Sequence, residues 1–278
     1  MGTTTTAAAD LALESVRREL EARREEYAKL LAEYDEVTGT LRRHLETEYM
    51  MRIGRLEYRL FALQLQVRQL KREIALYQAA KNRREIISDM EVKRIIEEEF
   101  AEYRAALAEH QEKIRRAETH HFAPKLSVAA TRALRTLYHD MVRKLHPDLN
   151  RNLPEKAGEL WIKIVAAHKN CDWQELNILA DMVYDLLDGG RPAAETPNCL
   201  EQLLAEEQRI AAKSAEVKER LRKLQERPPY SYRALLENDR AVNDKRRELL
   251  EALRRTKEYL AELGGLRDEL RRGTDAEL

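Results

Sequence analysis

Cysteine is nearly absent from this chain: Cys171 and Cys199 are the two in 278 residues. Their spacing fits neither a CxxC pair nor a zinc-ligand pattern, so reduced thiols in a reducing compartment are expected. Glycine (9) and proline (7) are scarce and aromatics make up 6%, while charged residues reach 36%. That balance argues against a sheet-rich globule and for long helices. Excess charge is missing too. Fifty basic and fifty acidic residues cancel, which removes the bulk electrostatic argument for nucleic acid as a partner and leaves only local basic patches. Long apolar runs are lacking: the best, FALQLQVRQL at 61–70, is short and broken by Gln and Arg, so no membrane partner is expected. The opening MGTTTTAAAD has neither the basic region nor the apolar core of a secretory signal. A cytoplasmic protein is the expectation.

What is present is heptad patterning. Residues 1–9 are expected to be a disordered tail. From Asp10 an apolar ladder runs through Leu13, Val16, Leu20, Tyr27, Leu30, Tyr34 and Val37, and Gly39 suits a helix C-cap. A second ladder runs through Ile53, Leu56, Leu60, Leu63, Val67, Leu70, Ile74 and Tyr77, and its short connection to the first suggests an antiparallel hairpin. A third, weaker ladder from Ile96 to Ala117 has Ser88 or Asp89 as cap and His110 as a tolerated seam residue. Pro124 breaks the pattern. DGGRPAAETPN (188–198) reads as a linker. Heptads then resume from Leu200 to Leu224, break at Pro228-Pro229, and end in a last helix expected to fold back and to fray after Gly264-Gly265. The predicted fold is all-α, with long antiparallel coiled-coil helices flanking a small helical module. The expected organisation is a coiled-coil region over 10–119, the module over 126–188, a linker over 189–198 and a helical hairpin over 199–278.

The chemistry-bearing stretch is YHDMVRKLHPDLN, residues 138–150. Leu134, Leu137, Tyr138, Met141 and Leu145 fall on one helical face. Arg132, Arg135, Arg143 and Lys144 make the exposed side cationic. Pro147 removes a backbone donor and stops the helix, which leaves His146 and Asp148 on a turn predicted to be exposed and open to conservative substitution at little cost. A second helix comes next, with Pro154 in its first turn and Trp161, Ile164, Val165 and His168 as its inner face. Trp161 is the expected anchor, at about 3–5 kcal/mol on truncation to Ala. Asp172 is the expected N-cap of a third helix carrying Leu176, Leu179, Val183 and Leu186.

Two helices joined by a loop starting His-Pro-Asp resemble the J-domain of DnaJ-type co-chaperones. Tyr138 stands eight residues before the histidine, Lys144 two before it, Leu149-Asn150 come directly after the tripeptide, and Trp161, Ile164 and Ala167 match the spacing of the family's next helix. The departures are the missing first helix, where KLSVAAT stands instead, and His139 and Asp140 in place of two usual cations. No Gly/Phe-rich segment or zinc repeat is present. The resemblance covers residues 126–188 and implies docking on a DnaK-type chaperone, with Arg132, Arg135, Arg143 and Lys144 steering and His146, Pro147 and Asp148 making the contact that promotes ATP hydrolysis. The coiled coils would then recruit a protein client or join copies into a homo-oligomer. The alternative is a coiled-coil scaffold whose module only packs. No GxSxG, no Cys–His set and no phosphate-cradling loop occurs, and His120, His121, His139 and His168 lack metal-ligand spacing. Neither enzymatic activity nor a cofactor is expected.

Overall fold

The computed structural model describes residues 2–123, 126–188 and 200–276, and within them the side chains from 13 to 271. All regular structure among these residues is helical, as the ladders predict. The helices are α1 (Gly2–Glu36), α2 (Arg42–Tyr49), α3 (Arg55–Arg83), α4 (Asp89–Glu99), α5 (Ala101–Phe122), α6 (Val128–Leu145), α7 (Glu155–Lys169), α8 (Trp173–Asp188), α9 (Leu200–Gln225), α10 (Arg233–Leu236) and α11 (Asp239–Ala276). None is long and apolar enough to cross a membrane among the described residues.

Several local expectations are corrected. Helix α1 begins at Gly2, where a disordered tail was expected, and α11 runs through Gly264 and Gly265 to Ala276 without fraying there. The first two ladders are not a hairpin. Helices α1, α2 and α3 succeed one another through π-helical turns at Val37–Leu41 and Met50–Gly54, each of which absorbs an extra residue without breaking the helix. The Thr38 hydroxyl donates back to the Tyr34 carbonyl at 2.8 Å, and Gly39 is no cap. A Cβ there would make an ordinary van der Waals contact with Lys169 Cγ at 3.4 Å. The third ladder is divided at Phe100, between α4 and α5. Two caps fall where the sequence puts them. The Glu91 amide donates to the Ser88 hydroxyl and the Glu175 amide to the Asp172 carboxylate. The expected linker lies almost wholly outside the described residues, as does Pro124.

The chain divides into two units, and neither matches the linear organisation expected. The first comprises Met1–His44 and Pro124–Ser231, the second Leu45–Ala123 and Tyr232–Leu278. The 199–278 segment is therefore not one hairpin: α9 belongs to the first unit and α11 to the second.

In the second unit α3 and α11 run parallel. Arg52 pairs with Asp239, Lys71 sits over the Tyr259 ring and Arg267 reaches Glu73 at 3.7 Å, so the pairing advances along both helices together. Helix α5 is antiparallel to α3, with Arg55 on Glu118 and Arg68 over the Tyr103 ring. Ile53 and Val242 are fully buried in this bundle.

In the first unit α6 and α7 form an antiparallel pair. Tyr138 stacks on His168 and the His146 ring meets Trp161, so rising numbers on one helix oppose falling numbers on the other. Cys171, with φ of 55°, turns the chain from α7 into α8. Helix α1 lies antiparallel along α6, with Glu25 facing Arg143, Asp35 facing Tyr138 and Glu36 facing Arg135. Helix α9 lies parallel to α1, tied by Arg23–Glu207 at 2.7 Å and Glu26–Lys218 at 2.9 Å. One apolar cluster joins all five helices. Tyr27 and Leu31 of α1, together with Ile210 and Val217 of α9, meet Met141 and Ile164 of the α6–α7 pair.

Candidate functional site

Ser127 caps α6 by accepting from the Ala130 amide at 3.1 Å. The apolar stripe of α6 then buries Leu134, Tyr138, Met141, Val142 and Leu145. At His146 the backbone turns extended (φ −62°, ψ 129°), and Pro147 cannot donate onward. His146 organises the turn. Its carbonyl accepts from the Leu149 and Asn150 amides, each at 2.9 Å, and its Nδ1 accepts from the Asp148 amide at 3.1 Å. The Asn150 side chain donates back to the Arg143 carbonyl at 2.9 Å, which satisfies one of the open acceptors at the end of α6. The His146 ring meets Trp161 edge to face at 5.4 Å. Burial lowers the pKa of His146, against the opposing charges of Asp148 and Asp35.

The turn is not the open one that the sequence predicts. Pro147 is exposed, but His146 and Asp148 are half-buried and Leu149 is buried. The Tyr27 hydroxyl of α1 donates to the Asp148 carboxylate at 2.7 Å. Lys213 of α9 stands 3.9 Å from that carboxylate, and Arg209 of α9 donates to the Asp148 carbonyl at 2.7 Å. Arg24 donates to the Leu149 carbonyl. Burial alone would raise the Asp148 carboxyl; the Tyr27 hydrogen bond, with Lys213, His146 and Arg209 behind it, outweighs that and holds it below its ordinary value. Exchanging Asp148 or His146 is therefore no neutral surface change, contrary to the expectation of nearly intact stability.

The four predicted steering cations differ in their surroundings. Arg135 pairs with Glu36, and Arg143 lies 3.7 Å from Glu25. Lys144 pairs with Asp140 at 2.8 Å and lies over the Tyr184 ring, whose hydroxyl donates to the same carboxylate at 2.7 Å. Asp140, a departure from the family pattern, thus ties Lys144 and α8 together. Arg132 is exposed and carries no ion pair among the described residues. Beside it, a groove of about 1090 Å³ runs between α6 and α8, lined by Val128, Leu137, Trp173 and Tyr184.

Compared with known proteins, the chain matches no family model, no curated protein and no solved structure. No group of three His, Cys, Asp or Glu side chains is placed to hold a metal among the described residues. Tyr27, Arg24, Arg209 and Lys213 carry no local signal that would assign them to the turn. The Tyr27–Asp148 bond spans 121 positions in the chain, and a heptad position says that Tyr27 is in a seam without saying whose.

A buried histidine lies under the same helix pair. His168 is 3% exposed, stacks on Tyr138 at 3.7 Å between ring centres, and its Nδ1 has no hydrogen-bond partner. Burial pushes its pKa down to about 4 from 6.5, with Asp35 opposing. The folded chain therefore holds this imidazole neutral, while the unfolded chain protonates it near 6.5. Stability is constant above about pH 7 and falls as pH drops from 6.5 toward 4, by up to about 3 kcal/mol for this group. His146 adds a loss of the same sign. Denaturant midpoints measured from pH 7.5 to 4.5 should show this decline, and His168→Phe should flatten most of it.

Proposed function

We propose that this chain is a J-domain-like, non-enzymatic co-chaperone that docks on a DnaK-type chaperone and stimulates its ATP hydrolysis. One observation supports the reading above the others: an antiparallel helix pair meets at an ordered His-Pro-Asp turn, and the cations Arg132, Arg135, Arg143 and Lys144 lie along the first helix of that pair. Charge on that helix gives encounter and orientation. The turn, with Pro147 outermost, supplies the contact that shifts the chaperone between states. The helices of the second unit are read as the surface for a protein client or for self-association, in the cytoplasm. No nucleic acid, membrane or cofactor enters this reading.

A second reading, that of a scaffold whose turn only packs, is favoured by a different observation: the Asp148 carboxylate and three of the four cations already have partners within the chain. ATP turnover by a DnaK-type chaperone separates the two. The full chain should raise it, and Asp148→Asn should abolish the increase. Arg132→Glu has no internal ion pair to lose, so it should weaken stimulation without loss of fold, more strongly at low salt where surface charge is less screened. Equal stimulation by wild type and Asp148→Asn, each assayed well below its own melting temperature, would remove the turn from the working contact.

A further inference from the structure

We infer that side chains of α1 and α9 form an intramolecular cover over the His146–Asp148 turn, whose polar contacts a docking partner must displace. This rests on the co-chaperone reading. Three donors and one further cation from two helices converge on two consecutive residues: Tyr27 donates to the Asp148 carboxylate, with Lys213 3.9 Å from it, Arg209 donates to the Asp148 carbonyl and Arg24 to the Leu149 carbonyl. These are the acceptors that a partner's own donors would need. Along α6 the same helix α1 presents acids. Glu25 faces Arg143 and Glu36 faces Arg135, eleven residues or about three helical turns apart, and so on one side of α1. Helix α1 therefore occupies the cationic face with the charge that an acidic partner surface would bring. The two covering helices are strapped to each other by Arg23–Glu207 and Glu26–Lys218. Both pairs include side chains open to solvent, and such pairs are weak. A cover held to the turn by polar bonds can be displaced by a partner that offers equivalent bonds. Tyr27 of α1 and Leu203 and Ile210 of α9 are all fully buried in the shared core, so both helices stay packed and it is the polar side chains Arg24, Arg209 and Lys213 at the turn that a partner displaces.

The test uses the full chain with Arg209→Gln and Lys213→Gln combined. Three quantities are read: the melting curve, the rate of carbodiimide labelling of the Asp148 carboxylate by mass spectrometry, and the concentration giving half-maximal stimulation of a DnaK-type ATPase. The double variant removes one charge-assisted hydrogen bond from the cover, from Arg209 to the Asp148 carbonyl, worth on the order of tenfold in an equilibrium, and the weaker Lys213 ion pair. The double variant should thus label Asp148 faster and reach half-maximal stimulation at about one tenth of the wild-type concentration. Lys213→Gln alone, at a half-exposed side chain, should shift both readouts in the same direction by less, and it carries the test if the double variant melts early. Faster labelling with an unchanged half-maximal concentration overturns the cover, as does unchanged labelling. Absence of stimulation by both wild type and variants overturns the co-chaperone reading, and the cover with it.

Discussion

A fragment comprising residues 126–188 is expected to be largely unfolded in isolation. Those residues contain the whole stretch that resembles a J-domain, and sequence alone marks them as a module. Their apolar stripes, however, are completed from outside. Leu20, Tyr27, Ala28 and Leu31 of α1, with Leu203, Ile210 and Val217 of α9, belong to the same buried cluster as Tyr138, Met141, Ile164 and Val183. Removing both outer helices exposes the inner faces of α6, α7 and α8 at about 25 cal/mol for each Å² of apolar surface. A chain of that size that has lost a third of its buried core residues cannot offset the entropy of ordering. Circular dichroism should show most of the native helix missing from the fragment. A cooperative, near-native melt would mean that α1 and α9 are accessories to a self-sufficient module.

Tyr138→Ala should cost about 3–5 kcal/mol, the range for truncating a large buried aromatic. Tyr138 is 1% exposed, stacks on His168 and donates its hydroxyl to Asp35 of α1. Its loss opens a cavity and leaves a carboxylate without its donor. Trp161, the anchor expected from sequence, is only partly buried. The inner face of α7 is rotated from the one predicted: Ala157, Leu160, Ile164, Ala167 and His168 are buried, and Trp161 and Val165 lie at its margin. Trp161→Ala should therefore cost clearly less than Tyr138→Ala. Denaturant melts of the two variants side by side check the order, and a reversed order would contradict the packing described.

Helix type was legible because a three-four apolar repeat from Ile53 to Tyr77 fits nothing else. The caps at Ser88 and Asp172 were legible because short polar side chains satisfy the first amides of a helix locally. What a ladder cannot carry is the identity and direction of its partner: every apolar stripe fits several others equally well. That is why α9 was paired with α11 rather than with α1, and why the first ladder was folded onto the second. The His-Pro-Asp turn shows the same division. Its existence is dictated by Pro147 and the stripe that ends at Leu145. Its cover comes from Tyr27, Arg24, Arg209 and Lys213, which are distant in the chain and ordinary in their own surroundings. Asp140 was visible as a departure from the family pattern, yet its role became apparent only with Lys144 and Tyr184 on either side.

Helix α1 reaches the turn through one bond in particular, from the Tyr27 hydroxyl to the Asp148 carboxylate at 2.7 Å. A double-mutant cycle with Tyr27→Phe and Asp148→Ala, read by denaturant unfolding at pH 7.5, isolates it. A buried hydroxyl donating to an ionised carboxylate predicts a coupling of about 1–3 kcal/mol between the two changes. Effects that add to within about 0.3–0.5 kcal/mol would contradict a turn held by α1.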